Sequence, residues 1–402
     1  MADILYVIRH VPSSDAPTLR CASVIRVLRN CGLSVDLMTT FAAPVDVVSS
    51  GLSLGEDHFF FPCELSASQK VSRFFEMALG IRASMWIARY IEEHRPKVVL
   101  FYGGTSTLVA RVYKHAKQYN VRVIVDETDW FEPRSDMNAY SRVYYTLDNR
   151  RLRHVDAGLD GIIAISPFFY DYFSRTNSNV LFFPPCVESL PSYHISQHHY
   201  NRRSVSFVYA GSLGPDKDIL LPFARALISY RANDNIDSIT VDNPRFLLKV
   251  VGVKAEDMAC KLSISPKELA SLGIECFGRL PHDKTLSIVK SCDFGLLLRH
   301  PLLYARAGFS TKAVEYLANG LPLICNSVGG VDTFIDSGVD GFVLGPRETD
   351  EKSLLTLIAK IATLDNDALV CMSAAARAKA SNLFVEDRYQ GPFRSFFDAV
   401  LA

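Results

Sequence analysis

The feature that most constrains the fold is an alternation of period along the chain. Short runs rich in β-branched and aromatic residues recur between longer segments whose apolar residues repeat at helical spacing. In the first half the runs cover residues 4–8, 34–38, 98–102, 121–126 and 161–165; in the second they cover 205–210, 246–252, 273–277, 294–298 and 321–326. Most are continuously apolar rather than alternating, which is the pattern of parallel strands covered by helices on both faces. Each half of the 402 residues therefore predicts its own doubly wound α/β domain.

Between the halves, Phe183-Pro184-Pro185-Cys186 opens a stretch without periodicity that ends near Asn201-Arg202-Arg203. A double proline followed by Ser, His, Asn and Gln reads as a linker. The expected division is a first domain over residues 1–185, a linker over 186–203, a second domain over 204–383 and a terminal segment over 384–402. Tyr389, Phe393, Phe396, Phe397 and Val400 make that last segment one amphipathic helix, expected to cross back to the first domain. Open α/β sheets bind ligands beyond the carboxyl ends of their strands, so the cleft between two such domains is the expected site.

Composition removes several classes. With 43 Lys+Arg against 43 Asp+Glu, no global charge draws the chain to nucleic acid. A 49% hydrophobic and 21% charged chain is too apolar to be disordered. The start, MADILYVIRHVPSSD, has neither the cationic region nor the apolar run of a signal peptide, and no stretch is long enough to span a membrane. The nine scattered cysteines lack both the pairing of a disulfide framework and the spacing of a zinc site. The expected location is cytoplasmic, extending to the inner face of the membrane if the acceptor is lipid-linked.

The densest chemical constellation is Arg299 followed by the run from Ala307-Gly308-Phe309-Ser310-Thr311-Lys312 through Glu315 to Asn319-Gly320-Leu321-Pro322. A strand ends before it, and a helix is expected to start at Ser310 or Thr311, either of which is a competent cap, and to stop at Gly320. Open amides at that helix start, beside Gly308, suit a diphosphate. Glu315 falls outside capping-box spacing from either cap, so its carboxylate is available to the hydroxyls of a ribose or, equally, is a solvated helix charge. A second feature is the glycine turn within Tyr209 to Asp218, with Gly211, Ser212 and Lys217, and a third is Phe277-Gly278-Arg279-Leu280-Pro281-His282. Three strand-end loops in one half point to a phosphorylated ligand there.

These residues resemble the second domain of family 4 retaining glycosyltransferases of the GT-B fold. That family's Gly-x-Leu-(x)3-Lys loop, Gly-x-x-Pro turn, Glu-Gly-Phe-Gly-(x)4-Glu stretch, Gly-x-Pro and Gly-Gly loop fall in order on Gly211 to Lys217, Gly278 to Pro281, Ala307 to Glu315, Gly320 to Pro322 and Gly329-Gly330. The resemblance covers residues 204–350 by motif and residues 1–185 by architecture. It implies two Rossmann-like domains facing across a cleft, no cofactor beyond the donor and no metal. It also implies a nucleoside-diphosphate sugar as donor, UDP or GDP, and a glycan or lipid-linked glycan as acceptor. Lys217, Glu315 and Asp129 would be the catalytic set. Gly211, Ser212, Lys217, Arg279, Leu280, Arg299, Gly308, Phe309, Ser310, Thr311, Lys312 and Glu315 would hold the donor; Asp15, Arg20, Asp126, Glu127 and Asp129 would face the acceptor.

The sequence departs from the family at three places: Ala307 stands for the proximal Glu, Ser212 for a frequent arginine, and residues 11–17 contain no glycine. The Ser-Thr-Lys-x-x-Glu-Tyr form resembles a branch of surface-polysaccharide transferases. Two other readings stay open: a non-catalytic GT-B module, suggested by Ala307, and a sugar-nucleotide epimerase or phosphorylase on the same fold. Residues 125–130 follow a strand, which puts their carboxylates at the expected cleft rim, where an Asp equally reads as the cap of the next helix; Arg20 also reads as a surface charge. His194, His198 and His199 read as solvated linker residues. Asp365-Asn366-Asp367 lies between helices, not after a strand. Residues 67–90 set Lys70, Arg73, Arg82 and Arg89 among Phe74, Phe75, Leu79 and Trp86, suiting either a membrane surface or helices packed on the first sheet.

Overall fold

Residues 4–8, Ile-Leu-Tyr-Val-Ile, are buried at all five positions, as a strand covered on both faces must be. They form β1 (Ile4–Ile8), which pairs in parallel with β2 (Val35–Thr39) on one side and β4 (Val98–Tyr102) on the other. A computed structural model describes residues 2–8, 16–40, 59–60, 70–192, 204–211, 218–233 and 245–402. It divides into two units: Met1–Glu188 with Ala307–Phe309 and Glu386–Ala402, and Ser189–Arg306 with Ser310–Val385.

The first unit holds a parallel sheet completed by β3 (Phe59–Phe60), β5 (Arg122–Glu127), β6 (Gly161–Ala164) and β7 (Val180–Phe182), in the order β3-β2-β1-β4-β5-β6-β7. One core cluster joins Ile4, Tyr6, Val24, Leu28, Val98 and Leu100 to Phe393, Phe396, Phe397 and Val400 of the terminal helix Gln390–Leu401. Phe183 is fully buried there, with ring centroids 4.9 Å from those of both Tyr389 and Phe393.

The second unit holds β8 (Ser204–Ala210), β9 (Arg245–Val251), β10 (Ile274–Cys276), β11 (Phe294–Leu297), β12 (Leu323–Asn326) and β13 (Gly341–Leu344). Every pairing is parallel, in the order β10-β9-β8-β11-β12-β13. Phe207, Phe223, Phe246 and Phe294 pack against one another in its core. In both units the strand order reverses beside the first strand, which makes the β1/β4 and β8/β11 gaps the topological switch points. Three strands, β3, β7 and β13, lie outside the predicted runs.

Candidate functional site

At the β8/β11 switch point, the chain leaves β8 at Gly211, whose N–H donates to Val251 O at 2.9 Å. Next to it, Gly252 N–H donates to Gly278 O at 2.7 Å, and Gly278 N–H to Val253 O at 2.9 Å. Gly252 has φ +96°, and a Cβ there would lie 2.5 Å from the Gly211 carbonyl oxygen, so only glycine fits. The carboxyl ends of β8, β9 and β10 are thus drawn together by backbone alone.

Asp218 returns to the same point. It forms an isolated antiparallel bridge with Arg299, just beyond β11, and Ile219 N–H donates to Leu298 O at 2.7 Å. The Asp218 carboxylate is 5% exposed and accepts from Lys312 Nζ at 2.6 Å and Tyr209 OH at 2.8 Å. Arg299 Nε lies 3.5 Å from its other oxygen. Burial works against ionisation, yet Lys312 and Arg299 hold this carboxyl below the usual range. Lys312 Nζ also lies 4.5 Å from the Tyr209 ring centroid, in the space a Cβ on Gly211 would enter. Two cations therefore share one carboxylate, leaving a net positive charge beside the glycine turn. Asn326 fixes the Arg299 backbone, accepting its N–H at 2.8 Å and donating to its carbonyl at 2.9 Å.

Lys312 belongs to the helix Thr311–Ala318, whose N-cap residue Ser310 makes no side-chain cap bond. The Ser310 hydroxyl therefore does not close that helix start, which leaves it suited to an anion. Tyr316 OH, on the same helix, accepts from Ala210 N–H at 2.9 Å and ties the helix to the end of β8. The helix ends at Asn319, followed by Gly320 at φ +73°, a left-handed C′ residue. Glu315 is half-buried, and its carboxylate has no hydrogen-bond or ion-pair partner among the described residues. Burial pushes its pKa up, while His282 and Lys312 pull it back. Arg279 is exposed, Leu280 and Thr311 are half-buried, and Gly308, Phe309 and Ser310 are buried. Ser212 and Lys217 lie outside the described residues, as does Asp15.

In the first unit, two carboxylates expected at an open strand-end rim are instead interior. Asp126 is 1% exposed and chelates Arg20, which donates from Nε at 3.1 Å and from a terminal nitrogen at 2.9 Å. Tyr6 OH donates to the same carboxylate at 3.3 Å. Arg20 is neither a surface charge nor open to a ligand: it is 6% exposed, donates to Pro184 O at 3.0 Å and covers the Phe183 ring. Glu127 is also 1% exposed and pairs with Arg151, which further contacts Asp148 at 2.9 Å, Asp156 at 2.7 Å and Gly104 O at 3.1 Å. Burial pushes Glu127 well above the usual range and Asp156 up to about 6, against the pull of Arg151 and with the neighbouring carboxylates adding to the rise. Of the described residues expected to face the acceptor, Asp129 alone is exposed.

Tyr209 and Asp218 bound the glycine-turn stretch named from the sequence, but neither was assigned a role there. A carboxylate spaced one residue from a lysine after a glycine turn is a weak signal, and its partners at 299 and 312 are distant in sequence.

Residues 206–378 match the family model described as glycosyl transferases group 1. No curated protein matches the chain by sequence. Among solved structures, a sucrose-phosphate synthase from Thermosynechococcus elongatus superposes with a TM-score of 0.69 at 15% identity, covering 99% of this chain and 100% of that one. A glycosyltransferase from Rickettsia africae gives 0.68 at 14% identity, over 99% and 98%. The Anabaena protein HepE in complex with UDP gives 0.65 at 14% identity, over 99% and 100%. At such identities the likeness is one of fold. The chain has the GT-B fold of glycosyltransferases, and its second unit carries the glycosyl transferases group 1 pattern over residues 206–378.

Proposed function

We propose that the protein is a metal-independent, retaining glycosyltransferase that moves a hexose from a nucleoside-diphosphate sugar to a glycan or lipid-linked glycan. The observation that carries this reading is the cluster at the β8/β11 switch point. There a glycine turn, the Asp218-tethered Lys312, a helix start that Ser310 leaves open and Glu315, which makes no hydrogen bond among the described residues, come from the same strand ends and helix. A diphosphate suits the cations and helix amides, and a ribose diol suits a carboxylate one turn further along the helix.

Chemically, the sugar–phosphate bond breaks with its electron pair leaving on the diphosphate. Lys312, Lys217 and the first amides of Thr311–Ala318 would stabilise that charge, an electrostatic route to rate enhancement. The acceptor hydroxyl would attack from the face of the leaving group and pass its proton to the departing phosphate. No dedicated protein base is then required, and Asp129 would orient the acceptor. UDP is the favoured nucleotide, because structural neighbours were solved with UDP and with UDP-glucose.

The test is turnover. Incubation with UDP- and GDP-hexoses and a panel of glycan and lipid-linked acceptors should release the nucleoside diphosphate, with the product anomer matching the donor by NMR. Ala307, in place of the family's proximal Glu, supports a second reading as a non-catalytic module. Nucleotide binding with no release from any donor would favour that second reading.

A further inference from the structure

We infer that the paired helices Lys70–Leu79 and Ile81–His94 form a docking surface for a bilayer carrying anionic phospholipid. This goes beyond the donor-site reading and does not depend on it. Eleven large apolar side chains are exposed among the described residues, and five of them fall within residues 71–85: Val71 at 71%, Phe75 at 56%, Leu79 at 37%, Ile81 at 41% and Met85 at 68%. Val71, Phe75 and Leu79 stand four apart and so share one stripe of their helix, and Ile81 and Met85 repeat that spacing in the next. The inner sides of the same helices are already occupied, with Met77, Ala83, Ile87 and Tyr90 buried. The outer apolar residues therefore contribute nothing to the core, and a concentration of this kind marks an interaction site.

The corner between the helices is fixed. Gly80 is buried at φ +59°, and a Cβ there would lie 2.8 Å from Leu108 Cβ, so the two helices meet against the helix Ser106–Ala116. Charge selects the occupant. Residues 70–85, which carry the apolar side chains, contain the basic Lys70, Arg73 and Arg82 and a single acid, Glu76; the exposed acids of the second helix, Glu92 and Glu93, lie two turns beyond Met85. Glu76 is 8% exposed and turned inward, accepting from the Arg82 and Ala83 N–H groups at 3.0 and 2.9 Å. Arg89 is paired with Glu93, beyond the apolar stripe. The outer face of residues 70–85 thus joins apolar side chains to basic ones with no exposed acid of its own, in a chain whose total charge is zero. Apolar groups entering the acyl boundary beneath cations at the headgroups is the geometry of interfacial helices.

Flotation of the full chain with vesicles tests this, using phosphatidylcholine alone and an equal mixture of phosphatidylcholine and phosphatidylglycerol. Binding is expected to the mixture only and should weaken as salt rises. Phe75→Asp with Met85→Asp should reduce it by about tenfold or more, and Lys70→Glu by about fivefold or more. Val339→Asp, an equally exposed apolar site in the second unit, should leave it unchanged, and far-UV circular dichroism should show every variant folded. Four results would each overturn the inference: no vesicle binding, equal binding to both compositions, binding retained by the Phe75/Met85 variant, or a dimer that this variant abolishes in place of vesicle binding.

Discussion

Asp126→Ala should be among the most damaging single substitutions in the first unit, and its cost follows from geometry. Arg20 is 6% exposed and Asp126 1% exposed, so removing the carboxylate strands a buried guanidinium and deprives Tyr6 OH of its acceptor. Arg20 keeps the Pro184 carbonyl and the Phe183 ring, neither of which neutralises its charge. Breaking a buried pair from one side costs about 3–5 kcal/mol. In urea that should lower the unfolding midpoint by roughly 1–2 M. Both tryptophans, Trp86 and Trp130, lie in the first unit, so tryptophan emission follows this unit alone. Combining Arg20→Met with Asp126→Asn removes both charges and leaves an acceptor for Tyr6, so stability should return to within about 2 kcal/mol of wild type. A loss below about 1 kcal/mol for Asp126→Ala would refute the reasoning, since Arg20 would then have to reach water. So would a double variant no more stable than the single one.

The Arg151 cluster makes the first unit sensitive to pH. Burial raises Asp156 from an ordinary 3.8 to about 6 and raises Glu127 in the same direction. The folded state therefore holds more protons between about pH 4 and 6, and this contribution to stability falls as pH rises through that window. Urea titrations at pH 5 and 7, read by tryptophan emission, should show a smaller pH difference for Asp156→Asn than for wild type. In the second unit, a Cβ on Gly295 would lie 2.3 Å from the Tyr316 ring, so Gly295→Ala should cost about 1–3 kcal/mol by calorimetry. Because Tyr316 OH holds the end of β8, nucleotide affinity should fall with it. Lys312→Gln keeps the helix but removes a charge-assisted partner, and should weaken nucleoside-diphosphate binding about tenfold by titration calorimetry.

Much of the fold was legible because burial on two faces leaves continuous apolar runs. Residues 4–8 and 98–102 are strands at the predicted bounds, and the helix and glycine stop at 311–320 also stand where caps and breakers put them. The unpredicted strands are short: β7 is three residues and β3 two, too few for a period to emerge. β13, Gly-Phe-Val-Leu, opens on a glycine and runs straight into Gly345-Pro346. The carboxylates of Asp126 and Glu127 stand at a strand end, where a rim position is the natural expectation. Their partners, Arg20 and Arg151, lie 106 and 24 residues away, and such pairings leave no local trace. The same holds for Asp218, whose role exists only once residues 299 and 312 are brought beside it. Motif order pointed to the cluster at the β8/β11 switch point, while the way its charges are balanced emerged only from the fold.

The central claim is that the β8/β11 switch point binds a nucleoside diphosphate through the Thr311–Ala318 helix and Glu315. Thermal unfolding of the full chain against UDP, GDP, ADP and their common sugar conjugates, for wild type and Glu315→Ala, tests it most directly. A ligand at a hundred times its dissociation constant adds about 2.7 kcal/mol, which raises the midpoint of a unit this size by several degrees, roughly 2–4 °C per kcal/mol. The account predicts that one nucleotide, with its sugar conjugates, stabilises the wild type and loses that effect in Glu315→Ala. No shift with any nucleotide, or the same shift in both proteins, would contradict it.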